Sequence, residues 1–200
     1  MQPRVRIQQV VGAAFLVTTL LALTLCTPAS AQLAPPDRNV AMLRVANFGG
    51  GLGPVYMAGF SWTLNRQFDI VGMYNLNGAS GGGNLWDAGV RYHFRGTPSG
   101  VDAFVGLGYA NITAPFPFSG FTAGAASSSG ITGGGGASVH FTNALTGYAS
   151  VNLLSLGGTT NSILDYGVEL ELSNRVAGQL GIINFAGVGE PYLGFSFTLH

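Results

Sequence analysis

Cysteine is almost absent from this sequence. The one cysteine, Cys26, directly follows an apolar N-terminal run. We expect that run to be removed with a signal peptide, which would leave a mature chain without thiols. Disulfide bonds and cysteine-ligated metal sites are therefore excluded for the mature protein. No cluster of histidine and carboxylate residues has convincing metal-ligand spacing either, so we expect neither a metal nor another cofactor.

Charged residues are nearly as scarce, and lysine is absent altogether. Asp, Glu, Lys and Arg make up 8% of the chain, whereas a soluble protein surface is typically about a quarter to a third charged. Beyond residue 31, six arginines face eight carboxylates, which gives a formal net charge of −2. No basic field is available to hold nucleic acid. Because 47% of the residues are hydrophobic, part of the surface needs a solvent other than water.

The N-terminal segment has the features of an export signal. Two arginines give it a positive start, an apolar run follows over 10–25, and Ala29-Ser30-Ala31 supplies a small-residue cleavage site. The run of about 16 residues is shorter than the roughly 20 that a spanning helix needs. We expect cleavage after Ala31, with residues 1–31 as the signal peptide and residues 32–200 as a single domain.

The rest of the chain contains a repeated alternation of apolar and polar residues. In the stretch 84–94, Trp86 and Val90 belong to an apolar face, while Asp87 and Arg91 belong to a polar face. Alternate residues of a strand point to opposite faces, so this stretch is predicted to be a strand. Most such segments span about 9 to 11 residues, the length that a tilted strand needs to cross a bilayer. The ten segments are 39–48, 54–64, 68–77, 84–94, 101–111, 131–141, 145–155, 162–172, 176–185 and 191–199.

The connections between these segments alternate in kind. Short turns occupy every second junction, and glycine-rich connections lie between them. The turns are 65–67, 95–100, 142–144 and 173–175, and the glycine-rich connections are 49–53, 78–83, 112–130, 156–161 and 186–190. In bacterial outer-membrane barrels, short turns face the periplasm and longer loops face outside. We therefore predict an all-β fold, a closed antiparallel up-and-down transmembrane β-barrel of about ten strands with both termini in the periplasm.

Three stretches of these segments carry a family resemblance. They are GVRYHF at 89–94, GLGY at 106–109 and the closing LGFSFTL at 193–199. They resemble the OmpA-like or opacity-protein-like family of small outer-membrane β-barrels. The resemblance implies a Gram-negative outer-membrane location, contact with outer-membrane lipid and lipopolysaccharide, and insertion by the outer-membrane assembly machinery. Family members commonly have eight strands, the alternative to ten, and usually end in an aromatic residue where this chain has Leu199 and His200.

The polar faces carry the charged residues of the segments. Small barrels have interiors filled largely by side chains, and buried charges require partners. We therefore predict an ion-pair network that plugs the lumen. Its members are Arg44, Asp69, Asp87, Arg91, Asp102, Glu169 and Glu171, and Asp165 shares their face. Because acids outnumber arginines, water, histidine or a cation must balance the rest, and a narrow cation-preferring path is the alternative.

The segment 113–130 is the most individual feature of the sequence. Its phenylalanines, Phe116, Phe118 and Phe121, stand among proline, serine and glycine on the side predicted to face outside the cell. Exposed aromatic residues suggest contact with an extracellular partner or an apolar ligand. The alternative is that they fold over the barrel mouth or rest on the lipopolysaccharide layer.

Candidate catalytic groups carry little signal. Ser138 and His140 share one strand face, but that spacing is common in a serine-rich barrel, so no catalytic residue is assigned. The run 133–136 lacks the Lys-Ser/Thr of a phosphate loop and predicts a flexible loop or a bulged strand start. We therefore expect a non-enzymatic barrel with a structural or surface-interaction role. A narrow pore or transporter for small or apolar solutes is the alternative, and a lipid-modifying enzyme comes third.

Overall fold

Ten strands make up nearly all of the chain that the structure describes. The computed structural model describes residues 39–48, 53–78, 82–94, 100–113, 127–185 and 187–199. The strands are β1 (Asn39–Phe48), β2 (Gly53–Asn65), β3 (Phe68–Asn77), β4 (Asn84–His93), β5 (Val101–Thr113), β6 (Ser127–His140), β7 (Leu145–Leu156), β8 (Thr159–Ser173), β9 (Val176–Phe185) and β10 (Val188–Leu199). Among the described residues, no helix is long and apolar enough to cross a bilayer.

The ten strands close into one antiparallel barrel. Each strand pairs with its neighbours in sequence, and β1 completes the ring by pairing with β10, from Asn39↔Leu199 to Ala46↔Tyr192. The prediction of a closed up-and-down barrel with ten strands is confirmed, and the alternative of eight strands is wrong. Closure pairs the backbone groups that an open edge strand would leave free.

The two faces of the barrel wall follow the alternation predicted from the sequence. In β4, Trp86 is 37% exposed and Val90 is 45% exposed, whereas His93 on the opposite face is 5% exposed. Every strand contributes large hydrophobic side chains to the outside, and Leu107 of β5 reaches 68% exposure. The outer wall is therefore apolar around the whole circumference.

One end of the barrel interior is apolar as well. The buried side chains there lie near the strand ends that meet the glycine-rich connections. This apolar layer consists of Ala46, Val55, Met57, Leu85, Ala110, Ile112, Leu154, Leu156, Ile183, Phe185 and Tyr192. The expectation of a polar interior is wrong at this end. Alternation could not reveal the layer, because both faces of a strand are apolar here, as at Leu85 and Trp86.

Two glycine-rich connections are tighter than the sequence suggested. β7 ends at Leu156 and β8 begins at Thr159, so Gly157 and Gly158 alone form the turn, with φ angles of 57° and 83°. A two-residue hairpin requires such positive φ angles, and glycine adopts them without a steric penalty. β10 likewise begins at Val188, inside the predicted 186–190 connection.

β6 is longer than predicted and contains the glycine run. It begins at Ser127, so 127–130 belong to a strand and not to the predicted loop. The run 133–136 is paired with β5 on one side and β7 on the other, which corrects the expectation of a flexible loop or bulged start. A Cβ at Gly134 would lie 2.1 Å from the carbonyl oxygen of Val151, so the close approach of β7 requires glycine there.

Two predictions concern residues outside the described ranges. One is the signal peptide at 1–31, and the other is the group of loop phenylalanines, Phe116, Phe118 and Phe121. Both stay predictions.

Candidate functional site

Arg44 is the centre of a polar cluster on one side of the barrel interior. The residue is buried, with 8% of its surface exposed. Its Nε donates to Gln179 Oε1 at 2.7 Å, and its Nη1 donates to Asp165 Oδ2 at 2.6 Å in an ion pair. The guanidinium carbon lies 4.7 Å from the ring centroid of Tyr192 and 5.6 Å from that of Tyr148. Charge, hydrogen bonds and two aromatic faces thus hold one buried cation.

The cluster continues toward the short-turn end of the barrel through Glu169. Gln179 Nε2 donates to Glu169 Oε2 at 2.6 Å, and Ser196 Oγ donates to the same oxygen at 2.9 Å. The Tyr192 hydroxyl donates to Asp165 Oδ1 at 2.8 Å. The Arg44 cluster, as we name it, comprises Arg44, Tyr148, Asp165, Glu169, Gln179, Tyr192 and Ser196. It links β1 and β7 to β8, β9 and β10.

A second cluster is built around His93 at the same end of the barrel. The ring Nε2 lies 3.0 Å from Asp69 Oδ2, and Nδ1 lies 2.9 Å from Asp102 Oδ1. Ser61 Oγ donates to Asp69 Oδ2 at 2.9 Å. A charged imidazolium donates from both nitrogens, so it satisfies both carboxylates at once. His93, Asp69, Asp102 and Ser61 form what we name the His93 cluster.

Arg91 was expected to be enclosed by acids, and Asp69, Asp87 and Asp102 attract it electrostatically without direct contact. Its guanidinium carbon lies 4.2 Å from the ring centroid of Phe104. Within the described part of the chain, Arg91 forms no hydrogen bond or ion pair, and neither does Asp87 on the same strand face. His93 takes the two carboxylates that would otherwise have been available, Asp69 and Asp102. The hydrogen bonds are therefore divided between two clusters, and Asp87 and Arg91 interact with neighbouring charges by electrostatic attraction alone.

Asp87 and Arg91 line a cavity of about 140 Å³ in the barrel interior. The cavity reaches the Arg44 cluster at Asp165, the His93 cluster at Ser61 and the apolar layer at Phe185. Its walls combine methionine, isoleucine and phenylalanine side chains with amide and hydroxyl groups. The apolar lining includes Met42, Met73, Phe104, Ile163 and Ile183, and the polar lining includes Asn75, Thr132, Ser150 and Asn152.

Inward-facing glycines of β4 and β5 create part of this space. Gly89, Gly106 and Gly108 line the cavity where other strands present side chains. A Cβ at Gly89 would lie 2.4 Å from the carbonyl oxygen of Leu107, so the pairing of β4 with β5 excludes a side chain there. At Gly89 the missing side chain is therefore a consequence of how closely these strands approach.

The remaining candidate residues lie near the short turns. Glu171 is partly buried at the end of β8, and its main-chain N–H donates to the carbonyl oxygen of Ala144 at 2.8 Å. His140 is exposed, and its Nδ1 lies 2.8 Å from Thr146 Oγ1. No group of three metal-ligating side chains occurs among the residues whose positions are described.

The sequence analysis missed several members of the Arg44 cluster. Asp165 was recognised as a polar-face residue but was left out of the network, and Gln179 and the two tyrosines were not considered. All of them occupy inward positions, so alternation alone would have placed them inside the barrel. Their partners across the barrel are far away in sequence, and no sequence pattern identifies such pairs.

Comparison with known proteins extends to the fold only. No protein-family model matches the chain, and no curated protein matches it. Among solved structures, the KdgM porin is similar with a TM-score of 0.49 and 11% identity, over 80% of this chain and 99% of the porin. The N-terminal barrel domain of Pseudomonas aeruginosa OprF has a TM-score of 0.40 and 13% identity, over 82% of this chain and 98% of that domain. A de novo designed transmembrane β-barrel has a TM-score of 0.43 and 12% identity, over 83% and 98% of the two chains.

Proposed function

We propose that this protein is a non-enzymatic β-barrel of the Gram-negative outer membrane, with a closed lumen and a structural or surface-interaction role. The proposed membrane location rests on the separation of charged side chains from the apolar outer surface. Charged residues within the described strands occupy inward positions, while every strand exposes large hydrophobic side chains outward. A soluble monomer rarely exposes apolar patches larger than a few hundred Å². Hydrocarbon is the solvent that suits a continuous apolar wall with no unpaired strand edge.

The filling of the interior supports a closed lumen. At one end, the apolar layer leaves Val55 and Ala110 with no exposed surface, and Leu85 and Leu156 with 1%. Toward the other end, the Arg44 cluster and the His93 cluster occupy two sides of the interior with hydrogen-bonded side chains. An open aqueous channel would leave such side chains solvated.

The orientation follows the usual arrangement of outer-membrane barrels. The short turns, such as Asn174-Arg175, would face the periplasm together with both termini, and the 113–130 segment would face outside. In that setting the partners are outer-membrane lipid, lipopolysaccharide and the assembly machinery. Fractionation of the native host tests the location, and recovery of the mature chain as a soluble periplasmic protein would refute it.

Conductance in planar bilayers tests the closed lumen. We expect the wild-type barrel to give no steady current. The double variant Leu85→Ala/Phe185→Ala removes bulk from the apolar layer and should give conducting openings. The matched control Leu107→Ala/Phe195→Ala removes the same groups from the outer wall and should stay silent. A large steady current through the wild-type barrel would contradict the proposal.

A narrow pore for small solutes is the second candidate, and the cavity of about 140 Å³ is the observation that favours it. This candidate requires a small wild-type current through the cavity. Gly106→Val would then reduce the current, because position 106 faces the cavity. Gly178→Val would leave it unchanged, because Gly178 faces outward and a Cβ there meets only Leu172 Cδ1, at 3.7 Å.

The loop phenylalanines provide a test of the surface role. If Phe116, Phe118 and Phe121 contact an apolar partner, replacing all three by serine should weaken attachment of intact cells to polystyrene while the barrel still folds. Folding is checked by the mobility shift of the unheated protein on a denaturing gel. Loss of folding would instead identify these residues as part of the barrel closure.

A further inference from the structure

Two opposite charges face the interior cavity from the same strand, and among the described residues neither forms a direct hydrogen bond or ion pair. Asp87 and Arg91 both lie on the inward face of β4 and line the cavity. At about 3.3 Å per residue, their Cα atoms are about 13 Å apart along the strand. Neither side chain forms an ion pair or hydrogen bond within the described ranges.

The surrounding charged residues are already engaged. Asp69 and Asp102 hold the two ring nitrogens of His93, and Asp165 holds the guanidinium of Arg44. Arg91 is attracted electrostatically by Asp69, Asp87 and Asp102, but it packs on the face of Phe104 and has no direct hydrogen-bond acceptor among the described residues. A charge removed from bulk water without a partner is unfavourable, so a ligand that pairs with both charges would be bound favourably.

The size and walls of the cavity restrict what such a ligand can be. A cavity of about 140 Å³ is close in volume to the engineered apolar cavity of about 150 Å³ that admits benzene. The cavity wall also offers Met42, Met73 and Phe104, which suit a short chain of methylene groups. A ligand with a single charge would leave either Asp87 or Arg91 unpaired.

We propose that this cavity binds a small zwitterion, an ω-amino carboxylic acid, with its carboxylate at Arg91 and its ammonium group at Asp87. The guanidinium is a fork of N–H donors that matches a carboxylate, and the Asp87 carboxylate accepts from an ammonium group. The proposal does not depend on the membrane location or on a closed lumen, because binding can be measured on the barrel folded in detergent.

Calorimetric titration of the detergent-folded barrel with four probes tests the proposal. The probes are 4-aminobutyrate, 6-aminohexanoate, butyrate and butylamine. We expect one of the two zwitterions to bind about tenfold or more tightly than either singly charged probe, since each end gains a charge-assisted hydrogen bond. The two zwitterions differ in chain length, so the one that binds more tightly indicates the distance between the Arg91 and Asp87 charged groups.

Variants of the two charges should change the preference in opposite directions. Arg91→Gln removes the carboxylate partner, so butylamine should bind more tightly than butyrate. Asp87→Asn removes the ammonium partner, so butyrate should bind more tightly than butylamine. Both variants should weaken binding of the preferred zwitterion by about tenfold or more.

A third variant fills part of the cavity while both charged residues are kept. Gly106→Val places a side chain in the cavity, and its Cβ would meet the nearest backbone atom, the carbonyl oxygen of Val90, at an ordinary 3.4 Å. It should abolish binding, while the outward-facing control Gly178→Val should not. This comparison remains available if a charge variant does not fold. The proposal is overturned if no zwitterion binds, if uncharged butanol binds as tightly, or if Gly106→Val leaves the affinity unchanged.

Discussion

Replacing Arg44 by methionine should destabilise the barrel more than any substitution of an exposed arginine. Methionine retains much of the length of the side chain but removes its charge and its donors. Asp165 then loses its ion pair at 2.6 Å, and Gln179 Oε1 loses the donor at 2.7 Å. Two other contacts persist, because Tyr192 still donates to Asp165 and Gln179 still donates to Glu169.

The expected magnitude follows from this partial compensation. Removing one partner of a buried ion pair typically destabilises a protein by about 3–5 kcal/mol, and the two persisting hydrogen bonds favour the lower end of that range. The lost contacts with the rings of Tyr192 and Tyr148 are part of this loss and are not added to it. We therefore expect the free energy of unfolding to fall by about 3–4 kcal/mol.

Urea unfolding of the barrel in lipid vesicles, followed by tryptophan fluorescence, measures the change. Arg175→Met is the matched control, since Arg175 is exposed in a turn, and its effect should stay within about 0.5 kcal/mol. Adding Asp165→Asn to Arg44→Met should restore part of the lost stability, because the isolated carboxylate is then neutral. Equal stability of Arg44→Met and the wild type, or strictly additive effects in the double variant, would refute the described role of the Arg44 cluster.

Three further predictions follow from the described contacts. Gly134→Val should prevent formation of the folded gel band, because its Cβ would lie 2.1 Å from a carbonyl oxygen of β7, whereas Gly178→Val should fold normally. His93→Leu leaves Asp69 and Asp102 without their shared partner, so its urea midpoint should fall by an amount equivalent to about 2–3 kcal/mol. An epitope inserted between Ala123 and Gly124 should be labelled by antibody on intact cells, and labelling only after outer-membrane permeabilisation would invert the proposed orientation.

The faces of the strands could be predicted from the sequence because strand geometry is local. Alternation in a segment such as 84–94 places every second side chain inside, whatever the remainder of the chain does. The strand number followed from counting such segments. The ends of the strands were harder to predict from the sequence. Serine and glycine, which occupy 127–130 and 157–158, occur both in strands and in loops. Pairing with a neighbouring strand decides between these states, as β5 does for Ser127.

Side-chain partners inside the barrel could not be predicted in the same way. Arg44 is 135 residues from Gln179 and 121 residues from Asp165. Which inward residues meet depends on the stagger of all ten strands around the ring, since the stagger sets the height of each side chain along the barrel axis. Charge alone would have paired Arg91 with Asp69 or Asp102. The imidazole of His93 lies between those carboxylates instead, and this leaves Arg91 facing the cavity.

Among the glycines that line the cavity, strand packing requires Gly89 and Gly108 but does not require Gly106. At Gly89 and Gly108, a Cβ would lie 2.4 Å and 2.5 Å from carbonyl oxygens of the paired strand, so no other residue fits. At Gly106, which is paired with Arg91, the nearest backbone atom would be 3.4 Å away, an ordinary contact distance. The methyl group of alanine would therefore be accommodated by the backbone at 106, and it would add buried apolar contacts inside the barrel. Because glycine at this position gives up that stabilisation and leaves space beside a guanidinium with no direct hydrogen bond in the described structure, Gly106 is the residue whose identity argues most directly that the cavity has a use.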